Sequence, residues 1–165
     1  MITSNKMYIR TGRKFVYVPN MVGMFWDGLH LLSKERRHDS IAMVIAQHYD
    51  HVTMCALAYA PKQMAWEDAK AVCKSYFGEV GRLPTRAELL LLKDYPDVLK
   101  NILKRAGQLI TFWTNEEHSS GFAWVLGLTL DSYFGYCYSY NKDNYVSVLA
   151  FVDVPITDLI YERFI

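Results

Sequence analysis

Residues able to do covalent chemistry are few in this chain, and their spacing does not gather them. Three cysteines, Cys55, Cys73 and Cys137, cannot all pair with one another and sit at no metal-binding spacing. Cys137 and His118 can be drawn as a thiol and its base, yet nothing in the sequence places them together or lowers the thiol pKa. His48-Tyr49-Asp50-His51 invites a metal. Two histidines at a hairpin turn, with no third ligand nearby, read instead as solvent-exposed turn residues. The richer chemistry is recognition. Between Asp131 and Tyr145 stand five tyrosines in fifteen residues, interleaved with Ser, Asn, Asp and Gly. This is the composition of a paratope: tyrosine brings large contact area on few rotors together with a hydroxyl, and the small polar residues adapt. Tyr133, Tyr136, Tyr138, Tyr140, Asn141, Asp143 and Asn144 are therefore the candidate ligand-binding residues, for a protein or a glycan. A plainer reading makes the segment a strand pair with Tyr136, Tyr138 and Tyr140 alternating on one face. The two agree, since such a hairpin would itself be a flat binding face. No catalytic residue, metal site or cofactor is assigned, and the chain reads as non-enzymatic.

The elements that must position this segment are legible upstream. Thr85 and Glu88 form the Thr-x-x-Glu capping box, with Pro84 ahead of it to block extension, so a helix starts there. It carries Leu89 to Leu92 and must stop near Tyr95, because Pro96 disfavours helix in the residue before it. Trp66, Ala69, Cys73, Tyr76 and Phe77 recur at helical spacing, with Glu67 and Asp68 in the first turn, and predict an earlier helix of about three turns. A further helix is expected from Asp97 to Ala106, closed by Gly107. Ile41 to Gln47 and Val52 to Tyr59 read as strands around Tyr49-Asp50. So do Phe112 to Glu117, Phe122 to Leu130, and Val146 to Val154, the last expected beside the Trp124 strand. Trp66, Trp113 and Trp124 are read as core.

The ordered series Trp66-Glu67-Asp68-Ala69, Gly81-Arg82-Leu83-Pro84-Thr85-Arg86-Ala87-Glu88-Leu89, Phe112-Trp113-Thr114-Asn115-Glu116-Glu117, Ala123-Trp124-Val125-Leu126 and a final Val/Phe-rich strand resembles the C-type-lectin-like domains of many bacterial and phage proteins. That group is a distant relation of the formylglycine-generating enzymes. The resemblance spans roughly residues 38 to 154, and the series is more specific than any one motif. It implies an α+β, C-type-lectin-like fold: two to three helices packed on antiparallel strands, with a long loop region that carries binding. It does not name a ligand. Calcium-dependent members use Glu-Pro-Asn or Gln-Pro-Asp in the long loop and Trp-Asn-Asp in the next strand, and this chain has neither. The enzymes of the group hold copper on a reactive cysteine pair, whereas Cys137 has no near partner. Cys73 falls where secreted lectins place a helix cysteine. A bridge to Cys137 would depend on geometry, and free thiols are expected. In some phage and bacterial members the corresponding loop is diversified, and the tyrosine-rich bias here is of the sort that process leaves.

Residues 1 to 37 lie outside the resemblance. Met7 to Arg10 and Lys14 to Val18 alternate around Thr11-Gly12-Arg13, a hairpin turn. Met21 to Trp26 is strongly apolar, and two readings stand side by side: extra strands completing a sheet, or an arm docking a partner through Met24, Phe25 and Trp26. Residues 38 to 154 form the lectin-like domain. Residues 155 to 165 form a tail too apolar for a free end, which packs on its own domain or on a neighbouring subunit of a homo-oligomer. Eighteen basic against 17 acidic residues leave +1, which supplies no field for nucleic acid. No apolar run is long enough to span a bilayer, and Met1 to Arg10 has no signal-like h-region. Synthesis in a cytoplasm without a signal peptide is expected, with a virion as the final setting. The function expected is a binding or assembly module, a phage virion or surface component attaching to a host surface. The alternative is an intracellular bacterial interaction module.

Overall fold

A chain so rich in β-branched and aromatic runs, broken by a few capped amphipathic stretches, builds mostly strands with short helices between them. The computed structural model describes residues 7–11, 14–103, 108–129 and 136–161. In chain order the elements are β1 (Met7–Thr11), β2 (Lys14–Val18), β3 (Phe25–Trp26), β4 (Leu31–Ser33), β5 (Ala42–Gln47), β6 (His51–Ala56), α1 (Trp66–Phe77), β7 (Gly81–Arg82), α2 (Arg86–Leu91), α3 (Pro96–Ile102), β8 (Ile110–Ser119), β9 (Phe122–Leu128), β10 (Tyr136–Asn141), β11 (Phe151–Pro155) and β12 (Ile160–Tyr161). The fold is α+β, with few helices and sheets paired mainly antiparallel. It divides into two units, one of residues 1–54 with 153–165 and one of residues 55–152, the boundaries falling inside β6 and β11.

In the first unit β1 and β2 pair antiparallel from Met7↔Val18 to Thr11↔Lys14, as the alternation predicts; Gly12 and Arg13 of the expected turn lie outside the described residues. A sheet follows in the order β12-β4-β3-β5-β6-β11. Phe25 and Trp26 pair with Ser33 and Leu32 on one side and with Met43 and Ala42 on the other, so this short strand is held from both edges. Met21, Met24 and Trp26 are buried. The structure thus uses Met21 to Trp26 as sheet and core. Docking through Met24, Phe25 and Trp26 would have to draw on Phe25, which is half-buried, because Met24 and Trp26 are each only 7% exposed. Thr53 Oγ1 donates to Asp153 at 2.7 Å, tying β6 to β11. Ile156 and Leu159 of the tail are buried in this unit, and residues 156–158 form one turn of 3-10 helix. Phe164 and Ile165 lie outside the described residues.

The second unit holds the three helices. α1 covers the expected span and buries Trp66, Ala69 and Cys73, but Tyr76 at its last turn is exposed. The Thr85 box is complete: Thr85 Oγ1 accepts from the Glu88 N–H at 3.1 Å, and Glu88 Oε1 accepts from the Thr85 N–H at 2.8 Å. α2 gives way to a 3-10 turn over Leu92–Asp94 and ends at Tyr95, as Pro96 dictates. α3 is shorter than the helix expected from Asp97 to Ala106, since Leu103 is already extended (φ −100°, ψ 93°); Ala106 and Gly107 lie outside the described residues. β10, β9 and β8 form an antiparallel sheet in that order. Residues 146–150 run buried and largely without strand pairing, and they meet β8 rather than the Trp124 strand: Ser147 bridges Phe112, and the Trp113 N–H donates to Ser147 O at 3.1 Å. The expected place beside Trp124 is taken, because β8 and β10 occupy both edges of β9.

Candidate binding site

β10 is the tyrosine-rich segment, and its register on β9 decides what it displays. Tyr136, Tyr138 and Tyr140 stand opposite Gly127, Val125 and Ala123, so they share one face with those residues. Cys137, Ser139 and Asn141 stand opposite Leu126, Trp124 and Phe122 on the other face. The strand-pair reading and the display reading therefore hold together. Opposite Tyr136, a Cβ at Gly127 would come within 2.8 Å of Leu109 Cδ1, the tip of a half-exposed side chain that can move aside. Tyr138 and Thr111 share a hydrogen bond of 2.9 Å between their hydroxyls, and the Tyr138 and Tyr140 rings lie 5.0 Å apart at 57°. Hydrogen bonding to Tyr138 raises the pKa of the Tyr140 hydroxyl, so it stays neutral well above pH 7. Tyr136 is 54% exposed, while Tyr138 and Tyr140 are half-buried.

Asn141, Asp143 and Asn144 follow on an exposed turn. Asn141 Oδ1 accepts from the Asp143 N–H at 2.9 Å, so its side chain already closes the turn. Lys142 is anchored by Glu117 Oε2 at 3.1 Å and Ser120 O at 3.0 Å, and its ammonium lies 4.5 Å from the Trp66 ring centroid. Tyr133 lies outside the described residues, as do 130–135 as a whole.

Beside this strand opens a groove of ≈ 500 Å³, built from three stretches remote in sequence. Tyr59, Pro61 and Gln63 form one wall, residues 108–111 the second, and Tyr140 with residues 145–147 the third. Tyr59 is fixed edge-on against Phe112, with centroids 5.9 Å apart. Of the groove residues, sequence reasoning named Tyr140 as ligand-binding and counted Tyr145 among the tyrosines. Tyr59 was read only as the end of a strand, and Gln63 and Gln108 carried no periodic or compositional signal.

On the opposite face a polar cluster surrounds Trp124, which is half-buried rather than core. The Arg86 guanidinium lies 4.4 Å from its ring centroid, pairs with Glu116 and lies 3.7 Å from Cys137 Sγ. His118 packs edge-on against the same ring at 4.9 Å. Cys137 thus faces a cation, and His118 faces an indole. Trp66 and Trp113 are core as expected, their indole N–H groups donating to Thr114 O at 2.7 Å and Met64 O at 2.8 Å. All three cysteines are free thiols, Cys55 and Cys73 buried and Cys137 exposed. Burial pushes the Cys73 thiol up to about 12 and raises Cys55 further. His48 and His51 stack at 4.4 Å, and His51 Nδ1 meets Asp50 at 2.7 Å. Among the described residues no three metal-ligating side chains converge. Nor is any helix there long and apolar enough to cross a membrane.

No protein-family profile matches this chain, and no curated protein matches it. Among solved structures, EMS16, described as an antagonist of the collagen receptor integrin α2β1, is similar over 65% of this chain and 94% of its own, at 11% identity and a TM-score of 0.41. A likeness at that level assigns neither ligand nor activity.

Proposed function

We propose that the chain is a non-enzymatic binding and assembly module of C-type-lectin-like architecture. It uses the tyrosine face of β10 and the adjoining groove to hold a protein or glycan partner. The observation that carries this reading is the concentration of ring surface where the sheet meets solvent: Tyr136 and Tyr145 are 54% and 73% exposed, with Tyr138 and Tyr140 between them half-buried. Rings fixed on a strand lose little entropy on binding, so an exposed row of them suits recognition. The order of elements in the second unit, three helices and then an antiparallel sheet edged by the tyrosine strand, agrees with the two to three helices on antiparallel strands that the sequence resemblance implies.

In the setting favoured here the module belongs to a phage virion or surface component, folded in the host cytoplasm and exposed outside after lysis. Native mass of the tagged chain, recovered from its own source rather than from overexpression, tests that setting. Recovery in a very large particle supports it, and a free monomer or small oligomer overturns it in favour of an intracellular interaction module. The binding face is tested separately, by loss of particle or cell attachment in a Tyr136→Ala/Tyr138→Ala/Tyr140→Ala variant that still folds.

A further inference from the structure

The turn between β5 and β6, in the first unit, carries two histidines that the binding reading leaves unused. Their rings stack at 4.4 Å with 19° between the planes. The hydrogen bonds around them fix where each ring already holds its hydrogen. The bond from His51 keeps the Asp50 carboxyl below the usual carboxylate range, and a carboxylate only accepts, so His51 Nδ1 donates to it at 2.7 Å. Thr53 Oγ1 spends its one hydrogen on Asp153 Oδ1 at 2.7 Å, and therefore accepts from His48 Nε2 at 3.3 Å. A further proton must enter at His48 Nδ1 or at His51 Nε2. One charged ring stacks well on a neutral one, whereas two charged rings at this separation repel. The acids nearby offset this only in part. The Asp50 side chain is 78% exposed, where water and salt screen it, and Asp153 on β11 acts on His48 through the Thr53 hydroxyl. The 3-10 turn of residues 156–158, whose charged residue is Asp158, adds a backbone contact: the Ile156 N–H donates to Asp50 O at 2.9 Å.

We propose that the stacked histidines are a proton-operated latch: with at most one ring charged they hold the β5–β6 turn against residues 153–156, and the second proton parts the rings and releases the turn. Parting takes His48 off Thr53 and shifts the peptide of Asp50, which lies between the two histidines in the chain and carries the acceptor for Ile156. The hold is thus present at neutral pH and lost as pH falls through the range in which imidazoles titrate, about 5 to 8. This inference goes beyond the binding reading and does not depend on it.

Hydrogen exchange at the Ile156 amide of the full chain reads the latch, because its acceptor is Asp50 O. Each rate is divided by the intrinsic rate at the same pH. Protection should fall about tenfold or more between pH 8 and pH 5 in wild type, and about twofold or less in His48→Gln and in His51→Gln. Glutamine keeps an N–H donor at either position and cannot charge. Both histidines lie on a surface turn, and either variant carries the test if the other folds poorly. The Val44 amide, which donates to Met24 O at 2.8 Å in the same unit, should keep its protection throughout. An equal fall in wild type and both variants overturns the inference, as does constant protection of Ile156 in wild type. A matching fall at Val44 also overturns it, since the whole unit would then be unfolding in acid.

Discussion

Glu88 shows how one carboxylate serves two tasks. Burial pushes its pKa up. The paired N–H donors of Arg82, both at 2.7 Å, and the N–H of Thr85 outweigh burial and hold the carboxyl below the usual glutamate value. A depressed folded-state pKa means stability that is fully present above the unfolded value of 4.5 and lost as pH falls through the folded one. The melting temperature should therefore drop on acidification below about pH 4.5 by less in Glu88→Gln than in wild type. Thr85→Ala removes one half of the same cap and should cost about 1 kcal/mol in urea denaturation. Gly81 answers to a different constraint: a Cβ there would sit 2.1 Å from the carbonyl oxygen of Cys73. Backbone cannot yield as a side chain tip can, so Gly81→Ala should destabilise by about 1–3 kcal/mol, and a smaller loss would mean that α1 and β7 can part without penalty. The Thr85–Glu88 box was legible in the sequence because it closes within four residues. The role of Gly81 was not, since what crowds it is a carbonyl one helix away.

At the scale of elements, local signals survived and partner choices did not. Pro96 ended the preceding helix where steric exclusion says it must, and the Met7–Val18 hairpin followed from alternation. Residues 146–150 alternated as well as any strand, yet alternation is silent on which neighbour a segment meets. β9 had no free edge left for it. The same limit hid the groove. Its walls come from residues near 60, 110 and 145, and only folding brings Gln108 and Tyr59 to the tyrosines. Phe112 sits where several of these elements meet, fully buried and edge-on to Tyr59. Phe112→Ala should cost about 3–5 kcal/mol by denaturant unfolding. The triple tyrosine variant should lose far less, because those rings stand at the surface; a loss of comparable size would mean that the strand is packed for stability rather than display.

Across the whole molecule the thiols record what the core protects. Cys137 stands exposed on β10, while Cys55 and Cys73 are buried, with protonation favoured to about pH 12 for Cys73. Only thiolate reacts with a maleimide or disulfide reagent, so burial and a raised pKa suppress labelling together. Native protein should consume one equivalent quickly and the remaining two only as it unfolds, at a rate that follows urea concentration. Because Cys55 and Cys73 lie on β6 and α1, separate elements that both reach into the second unit, synchronous labelling would report that the second unit opens as one body. Cys73 labelling ahead of Cys55 would show that α1 detaches first, leaving β6 closed. Cys137→Ser isolates the two slow thiols for that measurement without touching the core, since Cys137 is exposed and its Sγ lies 3.7 Å from Arg86 Nη1. Fast labelling of all three in native buffer would contradict the burial from which the stability of this disulfide-free fold is argued.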